Sequence, residues 1–369
     1  MQTKSPSPPD TPAPPFRPCR IWLAAIGVVV LLILVEAGYQ YWKNSPTVTA
    51  PTIAGRPLSN PQTHLHTVVL GDSPDMLYLG THFGLFWSTD GGHTWPQQQG
   101  ALAQLMITSV AVSPVDPNTL AVVGLSNTGD ASQNGVYISQ DAGKTWHLSN
   151  PALPGQGLGS PISPYFVEAG ADNPDHWYSV FLGAGLYETR DAGAHWSLLT
   201  QGALANAQMM SLLIDPADAN HLLLGTTVGL YQTRDDGAHW NQVGEVQGDV
   251  TALVALPADP GALFCATDAG LWRSTDNGAH FAGLSTPAFS RLAVAGQQQS
   301  VLYGLSGQQV WRSSDAGSHW VLASTLGRSD LIAMAGDPTN AQVLYVGYFL
   351  PPAVFSSRDG GHSWQVVTS

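Results

Sequence analysis

The chain has 369 residues, of which only 11% are charged and 44% are hydrophobic, with 39 Gly and 27 Pro. That balance, together with 12 Trp, 11 Tyr and 10 Phe, excludes an intrinsically disordered chain and predicts many turns around a large core. A net charge of −13 with only 13 Lys and Arg, none of them clustered, excludes a nucleic-acid partner, which would need cations to neutralise its phosphates.

Residues 1–20 form a Pro-rich tail ending in Phe16-Arg17-Pro18-Cys19-Arg20, and Ile21 to Val35 then runs apolar without a charge. As a helix this run covers about 22 Å, short of a hydrocarbon core of roughly 30 Å, so the predicted transmembrane anchor extends over 21–42. Trp22 at one end and Tyr39, Tyr41 and Trp42 at the other supply interfacial aromatics. Lys4, Arg17 and Arg20 precede the span and Lys43 follows it, which puts the N-terminus in the cytoplasm and the remainder outside. The alternative is a secretory signal cut near Val35-Glu36-Ala37, which would release the remainder. Cys19 lies before the apolar run, where a lipoprotein cysteine would follow it, and Cys265 is across the membrane, so no disulfide is expected. No Asn-x-Ser/Thr acceptor occurs, which favours a bacterial surface protein over an N-glycosylated animal ectodomain. Residues 43–63 carry Pro without periodicity and read as a linker.

From His64 onward one unit recurs. Its legible part is an eight-residue box, first Ser88-Thr89-Asp90-Gly91-Gly92-His93-Thr94-Trp95 and then Ser139-Gln140-Asp141-Ala142-Gly143-Lys144-Thr145-Trp146. Five more follow, with Asp191 and Trp196, Asp235 and Trp240, Asp276 and Phe281, Asp315 and Trp320, and Asp359 and Trp364. The aspartates are 51, 50, 44, 41, 39 and 44 residues apart, a period that means a propeller or a solenoid. In the second copy Ile107–Ser113, Thr119–Gly124, Gly135–Ser139 and Thr145–Ser149 read as four short strands, and the fourth copy repeats that order over 210–214, 221–225, 229–233 and 239–243. Four strands per repeat is a blade, so 64–369 is predicted to be an all-β, seven-bladed β-propeller of four-stranded blades. Blades one and seven are expected to close side by side, all 28 strands in chain order, with no N-terminal strand completing the last blade.

Ser/Thr-x-Asp-x-Gly-x-x-Trp is the Asp-box, or BNR, repeat, and the whole exported part resembles that group. The Asp is expected to accept backbone N–H groups of its own turn, the Gly two places on to supply positive φ, and the Trp to lock the turn onto its blade. Because each box belongs to a different blade, the carboxylates cannot converge on one ligand, and their role is read as structural. The same reading absorbs the acid excess: 17 of the 22 Asp fall in boxes or in the first turn of a blade. Six of the 12 His are box-tip residues, one per blade, so no metal, cofactor or catalytic residue is assigned.

Asp-box propellers include sialidases, xyloglucanases, sortilin-type receptors and photosystem II assembly factors. The sialidase resemblance implies an arginine triad, yet outside the tail and the boxes only Arg56, Arg291 and Arg328 remain. Glu168, Glu188 and Glu245 are the exported Glu, and none pairs with an Asp at a defensible spacing. The nearest resemblance is to the photosystem II assembly and stability factors, carried by Gly84-Leu85-Phe86-Trp87-Ser88 and Gly185-Leu186-Tyr187. It implies a non-catalytic scaffold that docks another protein or an extracellular polymer, with glycoside hydrolysis as the alternative. Recognition is expected on the face opposite the boxes, whose loops vary most. The candidate residues there are His82, Phe83, Asn127, Asp130, Tyr165, Arg291, Arg328, Tyr348 and Phe349, with Tyr165 and Phe349 expected as exposed anchors.

Overall fold

Strands of five to nine residues rich in Val, Leu and aromatics, cut by Gly- and Asp-containing turns, fold only if both of their faces find partners. A computed structural model describes Leu58, residues 63–149, 164–200, Leu204 and 207–367. The predicted tail, the anchor 21–42 and most of the linker lie outside the described residues, as do 150–163 between blades two and three. Among the described residues no helix is long and apolar enough to cross a membrane.

The described strands run in chain order through seven antiparallel sheets. Blade one holds β1 (Leu65–Leu70), β2 (Leu77–Thr81) and β3 (Gly84–Ser88), and blade two β4 (Leu105–Val112), β5 (Leu120–Ser126), β6 (Gly135–Ser139) and β7 (His147–Ser149). Blade three holds β8 (Pro164–Ala169), β9 (Trp177–Phe181), β10 (Gly185–Thr189) and β11 (Ser197–Leu198), and blade four β12 (Met209–Asp215), β13 (Asp218–Thr226), β14 (Gly229–Thr233) and β15 (Asn241–Gln242). Blade five is β16 (Val250–Leu256), β17 (Asp259–Thr267), β18 (Gly270–Ser274) and β19 (Ala282–Leu284). Blade six is β20 (Arg291–Ala295), β21 (Val301–Ser306), β22 (Gln309–Ser313) and β23 (Val321–Thr325), and blade seven β24 (Leu331–Gly336), β25 (Leu344–Tyr348), β26 (Ala353–Ser357) and β27 (Gln365–Val366). The expected twenty-eighth strand, the fourth of blade one, is reduced to a single bridge between Phe86 and Gln97. Pro96 contributes no N–H there, so the ladder cannot extend.

No blade has a core of its own. Seven apolar clusters each join two neighbouring blades, and the period-2 alternation of the strands explains why. In β2, Leu77 and Leu79 pack toward blade seven with Tyr345 and Val354, while Tyr78 between them packs toward blade two with Ile107 and Val122. The ring closes at blades seven and one: Leu65 N donates to Phe349 O at 3.1 Å, and the Trp95 indole donates to Val367 O at 3.0 Å. Gly347 belongs to this seam, since a Cβ on it would stand 2.5 Å from the Leu65 side chain. Sheet seven is built from β24 to β27 alone, and no described segment before His64 joins it.

The innermost strand of six blades carries a bulge at its start, which leaves His66, Thr108, Tyr165, Met210, Thr251 and Ile332 out of the pairing. A bulge re-aims the unpaired side chain. All six residues are half-buried.

The boxes are nearly identical. The Ser or Thr hydroxyl donates to Asp Oδ1 and accepts the N–H of the closing Gly, as Thr233 does with Asp235 at 2.7 Å and Gly237 at 3.0 Å. Oδ1 also accepts the N–H four residues on, at 2.9 Å in all seven boxes. Oδ2 takes a hydroxyl of Thr94, Thr145 or Ser363, or the Nδ1 of His195, His239, His280 or His319. Two successive residues have positive φ, not one, so Ala142, Ala192 and Ala316 sit in the left-handed region at a cost of about 1–2 kcal/mol each. In six blades the N–H of the first of these bonds to the turn between strands one and two, as Ala142 N does to Asn118 O at 2.8 Å. Both turns therefore share one face. The closing Trp was expected to hold its own blade, yet four of the indoles reach the preceding one: Trp95 to Val367, Trp196 to Ser149 Oγ, Trp240 to Leu199 O and Trp364 to Ser324 Oγ.

Trp196 is 5% exposed, so Trp196→Ala should cost about 3–5 kcal/mol. Trp196→Phe, which keeps the ring and loses the bond to Ser149, should cost about 1 kcal/mol plus a small packing term; urea denaturation midpoints check both. Within the boxes, bonds to the ionised form hold carboxyls down to about 2, chiefly from the Thr145 hydroxyl for Asp141, the His195 ring for Asp191, the Thr233 hydroxyl for Asp235, the His280 ring for Asp276 and the His319 N–H for Asp315. An unfolded Asp takes up its proton near pH 4, so this stabilisation is complete above about pH 4 and is lost as pH falls toward 2. Melting followed by circular dichroism should show a steep acid limb below about pH 4. Asp235→Ala should melt lower at pH 7 and have a shallower acid limb.

Candidate functional site

The face opposite the boxes is formed by the starts of the innermost strands and by the loops between strands two and three. Blade one presents His64 just before β1, His66 at the β1 bulge, and His82 and Phe83 in the β2–β3 turn. His82 N donates to His64 O at 3.0 Å, closing that hairpin end. The His64 ring lies 4.7 Å from His66, 4.5 Å from His82 and 4.7 Å from Phe349 of blade seven. Asn127 of blade two braces the same turn, its amide donating to His82 O at 2.6 Å and Gln104 O at 3.2 Å. Asp130 accepts the Ser132 N–H at 3.1 Å and so caps a short 3-10 turn, Ala131–Gln133.

Arg291 opens β20 on blade six. It is exposed, and among the described residues its guanidinium donates only to main-chain oxygens, Ile332 O at 3.0 Å and Ser290 O at 2.7 Å. The surrounding protein lowers its pKa, while the Tyr165 phenol of blade three acts electrostatically in the other direction. Arg328 is otherwise engaged: it pairs with Asp330, donates to Leu350 O and Pro351 O, and lies 4.5 Å over the Tyr348 ring. Tyr348 itself is 2% exposed and packs in the core between blades six and seven. Tyr165 and Phe349, expected as exposed anchors, are half-buried. Phe349 sits in the seam between blades seven and one, where the closing hydrogen bond of the ring holds its backbone.

Glu168 on β8 is half-buried and no described residue donates to it. Loss of hydration pushes its carboxyl up to about 7. Glu188, unpaired in the sequence reading, joins an ionic network on the box side: it contacts Arg190 and lies 2.9 Å from His176, while Arg190 also pairs with Asp172 and with Asp236 of blade four. Buried His221 pairs with Asp215 at 2.9 Å. A shallow groove of about 510 Å³ beside the sixth box is lined by Trp311, His319 and Trp320; His319 there is already bonded to Asp315. Sequence reasoning missed the histidine cluster because it weighed the box-tip histidines alone. The pair His64 and His66 at the first strand was the available signal.

Seven bonded Asp turns recur on the seven blades of a β-propeller, six of them four-stranded, and residues 137–148 match the BNR/Asp-box repeat model. The GH74 xyloglucanase of Xanthomonas campestris superposes with a TM-score of 0.64 at 17% identity, over 83% of this chain and 54% of that one. A structure of YCF48 bound to a D1 peptide gives 0.56 at 18% identity over 84% and 93%, and YCF48 from Cyanidioschyzon merolae gives 0.58 at 15% over 82% and 98%. At these identities the likeness shows the fold. Among curated proteins, the probable oligoxyloglucan-reducing end-specific xyloglucanase of Neosartorya fischeri is 30% identical over 129 residues, 32% of this chain and 14% of that protein. This chain thus spans about half of the solved xyloglucanase and matches a small part of the curated one.

The raised carboxyl of Glu168 yields a pH test. An unfolded Glu ionises near 4.5, so between that value and about 7 the folded state retains a proton that the unfolded state has released, and stability falls as pH rises. Glu168→Gln should therefore melt above the wild type at pH 8, the gap narrowing toward pH 4.

Proposed function

We propose that the protein is a membrane-tethered, extracytoplasmic and non-catalytic docking propeller that holds a segment of another protein on the face opposite the Asp boxes. The carrying observation is the contrast between the two faces. On the box face, both oxygens of every box carboxylate are engaged within their own turns. On the other, Arg291 offers a cation with no carboxylate partner among the described residues, within electrostatic reach of Tyr165. Arginine and aromatic side chains are the types that anchor protein interfaces. YCF48, with which this fold shares nearly its full length, has been captured with a peptide. The tether rests on the apolar run within 21–42, with the propeller outside.

Glycoside hydrolysis is the second reading, favoured by the identity to a xyloglucanase. It requires two carboxyl groups placed on either side of one bond. Glu188 is engaged with His176 and Arg190, and Glu168 has no described partner with which to divide the roles of acid and base.

Photo-crosslinkers placed at Phe83 and at Thr94 of the full-length chain in its native membrane separate these readings. Protein adducts are expected from position 83 and not from the box position. Arg291→Glu should cut the adduct yield about 30-fold, the cost of losing an arginine anchor worth about 2 kcal/mol. Adducts mainly from position 94 would reverse the choice of face, and turnover of xyloglucan oligosaccharides or aryl glycosides would favour the enzyme.

A further inference from the structure

We propose that His64, His66 and His82 form a binding site for a divalent transition ion of the Zn²⁺ class, held by three imidazoles with a fourth position open. One ring nitrogen from each of the three residues lies within 4.8 Å of the other two, and all three side chains are half-buried. His66 Nε2 and His82 Nδ1 are completely shielded from solvent and have no hydrogen-bond partner. Buried polar atoms in native structures are almost always satisfied, and here the two unsatisfied atoms belong to two histidines of one cluster and are nitrogen ligands of the kind such metals prefer. Burial, together with repulsion from the neighbouring histidines, holds the imidazole of His66 down at about 3 and that of His82 at about 4. Coordination would use the lone pair of a neutral imidazole nitrogen on each ring.

The local fold supplies the positioning. The bulge leaves His66 out of the β1–β2 pairing, while the bond from His82 N to His64 O ties the other two residues to one hairpin end. Asn127 holds the His82 main chain from blade two, and Phe349 covers His64 and His66 from blade seven. Tetrahedral Zn–N bonds of about 2.0–2.1 Å place donor nitrogens roughly 3.3 Å apart, so small side-chain rotations close the ligand set. No acidic ligand belongs to the cluster. A soft or borderline metal is favoured over Ca²⁺ or Mg²⁺, which require oxygen donors. The open position would take water or a donor atom of a docked molecule.

The test is titration of the metal-free, full-length chain with Zn²⁺ against a chromogenic chelator, with His66→Ala, His82→Gln and the double box-tip variant His239→Ala/His280→Ala in parallel. One tight equivalent is expected in the wild type and in the box-tip variant, weakened at least about 100-fold in the other two. The His82→Gln chain keeps its main-chain bonds and should fold without metal, as circular dichroism will show. Zn²⁺ should raise the melting temperature of the wild type and not that of His82→Gln. X-ray absorption on the wild-type complex should find three nitrogen neighbours at about 2.0–2.1 Å, which decides the matter even if His66→Ala does not fold. Binding that is non-stoichiometric, unchanged in His82→Gln, or lost in the box-tip variant would overturn the assignment.

Discussion

A four-stranded blade whose strands alternate apolar side chains on both faces has nowhere to bury either face alone. Among the described residues, each of the seven apolar clusters consequently spans two neighbouring blades, and together they form a closed circuit. Ring closure is thus a condition of stability for the whole array, in contrast to an open solenoid whose end repeats need polar caps. The seam between blades seven and one joins the two ends of the propeller and is closed by the same means as the others, by side-chain packing with the Leu65–Phe349 and Trp95–Val367 bonds laid across it.

The Asp boxes serve that circuit from its rim. Each makes a rigid turn by filling the carboxylate with local donors, and the positive φ values that the turn demands are tolerated even at alanines because those bonds offset the strain. Tied to the first turn of its own blade, and in four cases reaching the preceding blade through an indole, the box sets the spacing between neighbours. In each box both carboxylate oxygens accept from donors of the same turn.

The proposed function assigns recognition to the opposite face, where strand starts and longer loops are freed from the stereotyped turn. There the bulges of the innermost strands present half-buried side chains of mixed character, among them His66 and Tyr165. Phe349 and the blade-one histidines show how ring closure brings side chains together, since a blade-seven aromatic packs on a blade-one cluster only once the ends of the array meet.

Read by itself, the sequence determined what is local and repeated: seven boxes at a regular period, four strands per repeat with Gly135–Ser139 and Gly229–Thr233 placed to the residue, and the shared face of the two turns. Those features follow from nearest-neighbour chemistry, an Asp beside the turn it fills and a two-residue alternation along a strand. Only the tertiary structure decided which side chains meet across blades. It put Tyr348 in the core, engaged Arg328 with Asp330, gathered Glu188, Arg190 and Asp236 into one network, and sent the indoles to the neighbouring blade. The same holds for His64, His66 and His82: two lie at one strand and the third at the next turn, yet their convergence depends on a bulge and on hairpin register. Alternation alone would assign the bulged residue to the wrong face.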